Sequence, residues 1–276
     1  MKQRYALRKQ MVASPYLLWS LIFVAAPMIF VLYYAFTDIS GAFTLENILA
    51  IWTRYRSTYA RSIWFGLAAT GICLLLAYPI AYTVARKTEN TQRTLVMLLM
   101  LPMWMSFLIR TYAWLSLLQD TGIINNFLGY FGLAPLHMIN TPGAVILGMV
   151  YNYLPYMILP LYSVMAKMDR DLIEVAYDLG ASGGSVLRRV ILPLSLPGIV
   201  TGVTMVFVPS VSTFYISQKL GGGSFDMIGD AIERQFQQAY NYNLGAALSL
   251  VLMLLILASM LLMRRFTDEE EGTGLI

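Results

Sequence analysis

Charge is what this chain has least of. Asp, Glu, Lys and Arg make up 12 % of its 276 residues, about half the share found in a soluble globular domain. That argues against an ordinary water-soluble enzyme, and an apolar content of 58 % excludes a disordered chain. Cysteine occurs once, as Cys73, so there is no disulfide framework and no thiolate metal cluster. Histidine occurs once, as His137, which removes Ser-His-Asp schemes and most metalloenzyme sites. There is no Gly-x4-Gly-Lys-Ser/Thr phosphate loop, and the one glycine cluster, Gly221-Gly222-Gly223-Ser224, lacks the lysine. The chain therefore has no means of its own to hydrolyse ATP.

What is present is apolar length. Six stretches, at about 15–36, 62–85, 94–118, 142–166, 196–217 and 243–263, contain a single charged residue between them, Arg110. Each meets the roughly 20 residues that an α-helix needs to cross a bilayer. Helices satisfy every backbone group internally, which hydrocarbon demands. Transmembrane barrels would show short alternating segments, and these are absent. The expected fold is an all-α integral membrane protein with six transmembrane helices in one domain over 1–276. The first stretch is too long for a signal-peptide core and lacks a small-x-small exit, so it reads as a retained span.

The few charges give the orientation. An even number of spans puts both termini on one side. With the termini inside, the inner segments carry 13 Lys and Arg, from Lys2, Arg4, Arg8 and Lys9 to Arg264 and Arg265. The outer segments carry five: Arg54, Arg56, Arg61, Lys219 and Arg234. The positive-inside rule then predicts cytoplasmic termini. The formal charge of +4 is accounted for by this asymmetry and calls for no nucleic-acid partner. Five of the six stretches hold an interior proline: Pro27, Pro79, Pro102, Pro155 with Pro160, and Pro209. Broken helices are tolerated where they face protein or a water-filled path, which suits a conduit better than an anchor. No internal repeat of the inverted-carrier kind is visible.

The longest inner loop, 167–195, is patterned. Asp169 or Asp171 can start a helix in which Leu172, Val175, Ala176 and Leu179 share a face. Gly180 stands where such a helix would exit through a left-handed residue. Ser185 to Pro193 forms a second short amphipathic turn after the bend Ala181-Ser182-Gly183-Gly184. Without more, the loop could equally lie on lipid headgroups, with Arg188 and Arg189 on phosphates.

The same loop resembles a signature of permease subunits of binding-protein-dependent ATP-binding-cassette (ABC) importers. That signature is Glu-Ala-Ala, three residues, Gly, nine residues, then Ile-x-Leu-Pro. Here it stands as Glu174-Val175-Ala176, Gly180, residues 181–189, then Val190-Ile191-Leu192-Pro193. Val175 and Val190 are the departures, both small apolar exchanges, and the spacing is intact. The resemblance implies the type I importer permease (MetI-like) fold. It implies that Glu174, Val175, Ala176, Leu179, Gly180, Val190, Leu192 and Pro193 couple this chain to an ATPase subunit. It implies too that the chain itself binds no cofactor and no metal, and that ATP and Mg belong to the partner chains.

Further stretches resemble the permeases of spermidine/putrescine importers. They are Leu101-Pro102-Met103-Trp104, Leu108-Ile109-Arg110-Thr111-Tyr112, Leu154-Pro155-Tyr156-Met157, Leu159-Pro160-Leu161-Tyr162, Asp178-Leu179-Gly180-Ala181-Ser182, and Phe214-Tyr215-Ile216-Ser217 with Gly221-Gly222. That likeness implies a second, related C-type permease, two copies of one ATPase and an extracytoplasmic polyamine-binding protein, all set in membrane lipid. Polyamines are flexible polycations, and a passage for them calls for aromatic faces, some carboxylates and few fixed cations, although Tyr and Trp also form belts at membrane interfaces. Trp104, Arg110, Tyr112, Tyr156, Phe214 and Tyr215 are the candidates for path or gate. Arg110 is electrostatically wrong for a polycation site and reads as structural or gate-locking. On the outer side Ser224 to Phe236 reads as a capped helix, with Asp226, Asp230 and Glu233 as an acidic stripe or simply a solvated face.

Other readings stay open. The same fold could import thiamine, sulfate, molybdate or an Fe(III) complex. An autonomous channel or secondary carrier would need no ATPase. An intramembrane enzyme would need paired catalytic groups, and none of the six stretches contains Asp, Glu or His.

Overall fold

A computed structural model describes residues 15–169 and 171–273, with side chains through residue 265. Lys2, Arg4, Arg8, Lys9 and Arg170, used in the charge count, lie outside the described residues. Among the described residues there is no strand, only an isolated antiparallel bridge between Thr37 and Phe43. In chain order the helices are α1 (Pro15–Ala35), α2 (Glu46–Ala85), α3 (Glu89–Trp104), α4 (Phe107–Leu118), α5 (Ile123–Tyr130), α6 (Pro142–Met165), α7 (Asp171–Asp178), α8 (Gly183–Leu194), α9 (Leu196–Ser212), α10 (Tyr215–Leu220), α11 (Ile228–Gln237) and α12 (Tyr242–Thr273).

Four of these, α1, α2, α6 and α12, are long and apolar enough to cross a bilayer singly. Two more candidates are bent pairs. Helix α3 and the run 107–130 meet at 85°, and α8 and α9 meet at 67°. The expected single helix over 94–118 is therefore two helices. Met105 (φ −78°, ψ 146°) and Ser106 (φ −54°, ψ 134°) are extended and end the α3 ladder. The break falls three residues beyond Pro102 rather than at it. The run 196–217 likewise stops as a helix at Ser212, where Thr213 is extended, and resumes as α10. The run 62–85 is the C-terminal part of a helix that begins at Glu46.

Two of the prolines are absorbed by widened turns. Pro27 cannot donate to the carbonyl of Phe23, and Phe23 lies in a π-turn, Leu21–Ala25. Pro193 stands in the same relation to Arg189, in the π-turn Leu187–Ile191. A π-turn shifts the ladder by one residue, which removes the clash without breaking the helix.

The chain divides into two compact units, Met1–Arg56 with Ala231–Leu254 and Ser57–Asp230 with Leu255–Ile276. In the first, Asn243 Nδ2 donates to the carbonyl of Thr37 at 2.7 Å and Asn47 Nδ2 to the same oxygen at 2.9 Å. Two side-chain amides thus close the carbonyls at the end of α1, which the helix leaves unpaired. None of the most apolar 18 residues of α1 is buried within the chain.

In the second unit, α2 presents Ala69, Cys73, Ala77 and Ala81, all fully buried, at four-residue intervals. This stripe of small side chains packs in the same core as Val145, Met149 and Tyr153 of α6. On α9, Gly198 and Gly202 are also four apart. A Cβ at Gly198 would meet the Pro160 carbonyl at 3.0 Å, and one at Gly202 would meet Met157 Sδ at 2.6 Å. Without side chains at these two points α9 lies directly on α6, the close approach that dispersion rewards between membrane helices. Tyr162 OH donates to Gln92 Oε1 at 3.0 Å, and Gln92 in turn donates to the carbonyls of Ala85 and Lys87. The ends of α2, α3 and α6 are tied together in this way.

Candidate functional site

The patterned loop folds as a helical hairpin, α7 followed by α8. Asp169 Oδ1 accepts from the backbone N–H of Asp171 at the start. Helix α7 ends as the spacing predicts. Gly180 has φ +79°, its N–H donates to the Tyr177 carbonyl at 2.8 Å, and the Ala181 N–H donates to the Ala176 carbonyl at 3.1 Å. This is a Schellman closure, with glycine at its left-handed position.

The hairpin has two faces. Ile173, Val186 and Ile191 are buried together, with Tyr78, Tyr82, Met168, Ala176 and Val190 packed around them. The opposite face holds Leu172, Val175 and Leu179, and Leu179 is 83 % exposed. Glu174, Gly180, Leu192 and Pro193 are exposed as well, and Glu174 has no hydrogen-bond or ion-pair partner among the described residues. Ala176 differs from expectation. The helical period puts it on the face of Leu172, Val175 and Leu179, but it packs against the hairpin's own cluster, which sits at the inner angle between α7 and α8.

Behind the hairpin the chain is tied to its neighbours by a buried contact. Tyr78 OH and Ser195 Oγ are 3.0 Å apart, and Ser195 is fully buried at the joint between α8 and α9. The hairpin therefore touches α2 through Tyr78 and Tyr82 and joins α9 at Ser195. The part played by Tyr78 and Tyr82 is invisible in the loop itself.

The aromatic candidates are only partly gathered. The rings of Tyr112 and Tyr215 are 6.3 Å apart at 79°, and Phe107 lies 6.0 Å from Tyr215. Tyr156 pairs instead with Tyr153 at 6.5 Å. Trp104 and Phe214 are exposed and join no ring pair among the described residues. Arg110 is 7 % exposed, and its Nε and Nη1 have no hydrogen-bond partner among the described residues. Asn152 Oδ1 and Ser210 Oγ are buried and unpartnered in the same sense. Such orphans cost about 1–3 kcal/mol each, more when charged.

Residues 77–268 match the family described as the binding-protein-dependent transport system inner membrane component. The chain belongs to this family. As a member it is a transport component, not an enzyme, and a multi-pass membrane protein. It is 37 % identical over 250 residues to the spermidine/putrescine transport system permease protein PotB of Haemophilus influenzae, covering 86 % of each chain. It is 36 % identical over 243 residues to PotB of Escherichia coli K12, covering 85 % of this chain and 88 % of that one. The molybdenum transport system permease protein ModB of Mycobacterium bovis is 30 % identical over 192 residues, 69 % of this chain and 72 % of that one. In fold it is similar to a bacterial ABC transporter involved in the import of the acidic polysaccharide alginate. The TM-score is 0.74 at 19 % identity, over 96 % of this chain and 99 % of that one.

The acidic stripe of this permease component does not form as expected. Helix α11 starts at Ile228, so Asp226 lies ahead of it. Asp230 is 2 % exposed, and its Oδ2 accepts from the Met227 N–H at 2.7 Å. Asp230 caps its own helix from inside and leaves Asp226 and Glu233, both half-buried, as the more accessible acids. Burial pushes its carboxyl up to about 6, opposed by the Met227 hydrogen bond.

Two features escaped the sequence reading. Lys219 points its ammonium at Tyr112 and Tyr215; the i, i+4 spacing of Tyr215 and Lys219 was the available signal. A cavity of about 590 Å³ is lined by Tyr33, Tyr34, Tyr240, Tyr242 and Asp38. Hydrogen bonds from Ser40 and the Ala42 N–H hold the Asp38 carboxyl below the usual range, so it is a carboxylate. No local pattern announces that cavity, because its walls are about 200 residues apart in sequence.

Proposed function

We propose that this chain is the permease subunit of an ATP-driven importer that moves polyamines, spermidine or putrescine, into the cytoplasm by alternating access. The observation that carries this reading is its likeness, over most of both chains, to curated spermidine/putrescine permeases. Molybdate is the opposite kind of solute, a compact dianion, and the relative that transports molybdenum matches less of the chain at lower identity.

The proposed topology has six spans: α1, the 62–85 part of α2, the bent pair of α3 and α4, α6, α9, and α12. Both termini are cytoplasmic, as the cation count supports. The α7–α8 hairpin then faces the cytoplasm, and α10 and α11 lie on the outer side of the inner membrane. Leu172, Val175 and Leu179 enter a groove on an ATPase subunit, and Glu174 takes a charge-assisted hydrogen bond from a basic residue there. ATP and Mg are held by that subunit, present in two copies. A second, related permease completes the translocation path, and an extracytoplasmic polyamine-binding protein delivers the solute. Arg110 locks a gate rather than binds the polycation.

The test is deletion of the gene in a strain with no other polyamine importer, with uptake of labelled spermidine and putrescine at micromolar concentration. Loss of uptake restored by the intact gene is expected. Unchanged uptake would move the substrate to another class.

A further inference from the structure

Lys219 is a half-buried cation that the proposed function leaves unused. Its Nζ stands 5.6 Å from the centroid of the Tyr112 ring and 5.7 Å from that of Tyr215. Both distances fall within the roughly 6 Å over which a ring face attracts a cation. The two rings are nearly perpendicular and Phe107 backs Tyr215, so the ammonium sits in a notch with aromatic walls. Lys219 makes no ion pair among the described residues. The Tyr112 hydroxyl also accepts a hydrogen bond from this ammonium, so two ring faces and one phenol oxygen, with no carboxylate ion pair, hold the charge.

The chemistry of the occupant is informative. A lysine side chain is four methylenes ending in a primary ammonium. The aminobutyl arm of putrescine and of spermidine is the same group. We infer that the notch of Tyr112 and Tyr215 is a subsite for a primary alkylammonium, and that Lys219 fills it as an internal substitute which the substrate displaces. This rests on the polyamine reading. Two ammonium groups repel and cannot share the notch, so occupancy is exclusive. Either Lys219 is in, or the substrate arm is in and Lys219 has swung out on its flexible stem. Tyr112 belongs to α4 and Tyr215 to α10, so binding holds these two helices together. The subsite reads an ammonium and its methylenes rather than overall length, and so accepts both polyamines.

The test uses the whole importer in liposomes: both permeases, the ATPase and the binding protein loaded with labelled spermidine. Lys219→Met keeps the stem and removes the competitor, and KM for the loaded binding protein falls by about 5- to 10-fold. Tyr112→Leu and Tyr215→Leu raise KM by about 10-fold, Tyr215→Phe, which keeps the ring face, stays near wild type, and Tyr112→Phe, which loses the hydroxyl bonded to the ammonium, falls between the two. If the Leu variants fail to assemble, Lys219→Ala with n-butylammonium as competitor decides. The emptied notch makes butylammonium inhibit spermidine uptake at least about five times more strongly than in wild type, and n-butanol has no such effect. Unchanged KM and unchanged butylammonium inhibition in an importer that carries spermidine would overturn the subsite and leave the polyamine reading standing. A wild-type importer that carries no polyamine would overturn both.

Discussion

Gly180 offers the sharpest test of how the hairpin works. Its φ of +79° closes α7, and a Cβ at this position would meet no atom within 4 Å. Steric clash within the chain is therefore absent, and the cost of a side chain is backbone strain alone, about 1–2 kcal/mol for an ordinary residue. That strain lowers the ratio of ordered to frayed hairpin by roughly 5- to 30-fold. Asn tolerates the left-handed region far better than Ala. The expected order of ATPase recovery is wild type, then Gly180→Asn close behind, then Gly180→Ala, with Gly180→Val lowest because β-branching adds to the strain. The assay is co-purification of the ATPase with tagged permease from membranes, with uptake measured in parallel. Equal defects in the Asn and Ala variants would refute the conformational argument, since they would mean that the ATPase rejects any side chain here. Full recovery with Gly180→Val would refute the need for the Schellman closure altogether.

Four further outcomes follow from the same geometry. Leu179→Glu and Val175→Glu, both on the exposed face, should leave the permease in the membrane but abolish ATPase co-purification; retention of the ATPase would move the docking face elsewhere. Gly198→Ala should lower the melting temperature of the purified protein more than Gly202→Ala does, because the first methyl meets a backbone carbonyl and the second mainly a flexible Met157 side chain; the reverse order would contradict this packing. The folded protein holds a proton on Asp230 between about pH 4 and 6 that the unfolded chain has released, so stability falls as pH rises through that window, by on the order of 3 kcal/mol at pH 7. Asp230→Asn keeps the oxygen that accepts from Met227, and its melting temperature should fall less than that of wild type between pH 4.5 and 7.5; parallel curves would place the titration elsewhere. Arg110→Ala should reduce assembly or gating, seen as less second permease co-purified or slower uptake, and a clean change of substrate preference instead would contradict the gate-locking role.

The sequence by itself determined the class of this protein and the address of its signature. A run of some 20 residues without charge is a one-dimensional property, because each residue's transfer into hydrocarbon is paid locally. The Glu174–Pro193 spacing is also one-dimensional: a helix of 3.6 residues per turn puts Leu172, Val175 and Leu179 on one side whatever lies around it. The closing glycine follows from the same local rules. What only the tertiary structure decided is which of these groups meet. Pro102 signals a disturbed helix, but the break occurs at Met105 and Ser106, where packing of α4 sets the new direction. Asp230 follows the helical period of an exposed acid, yet it is buried, because its helix turns that side inward and the Met227 N–H needs an acceptor there. Ala176 faces its own cluster, and Tyr78 and Tyr82 reach the hairpin from about 100 residues away. Lys219 looked like one more outer cation until Tyr112 arrived from another helix. Contacts between distant segments are set by burial and by the satisfaction of polar groups across the whole fold, and no window of sequence contains both partners.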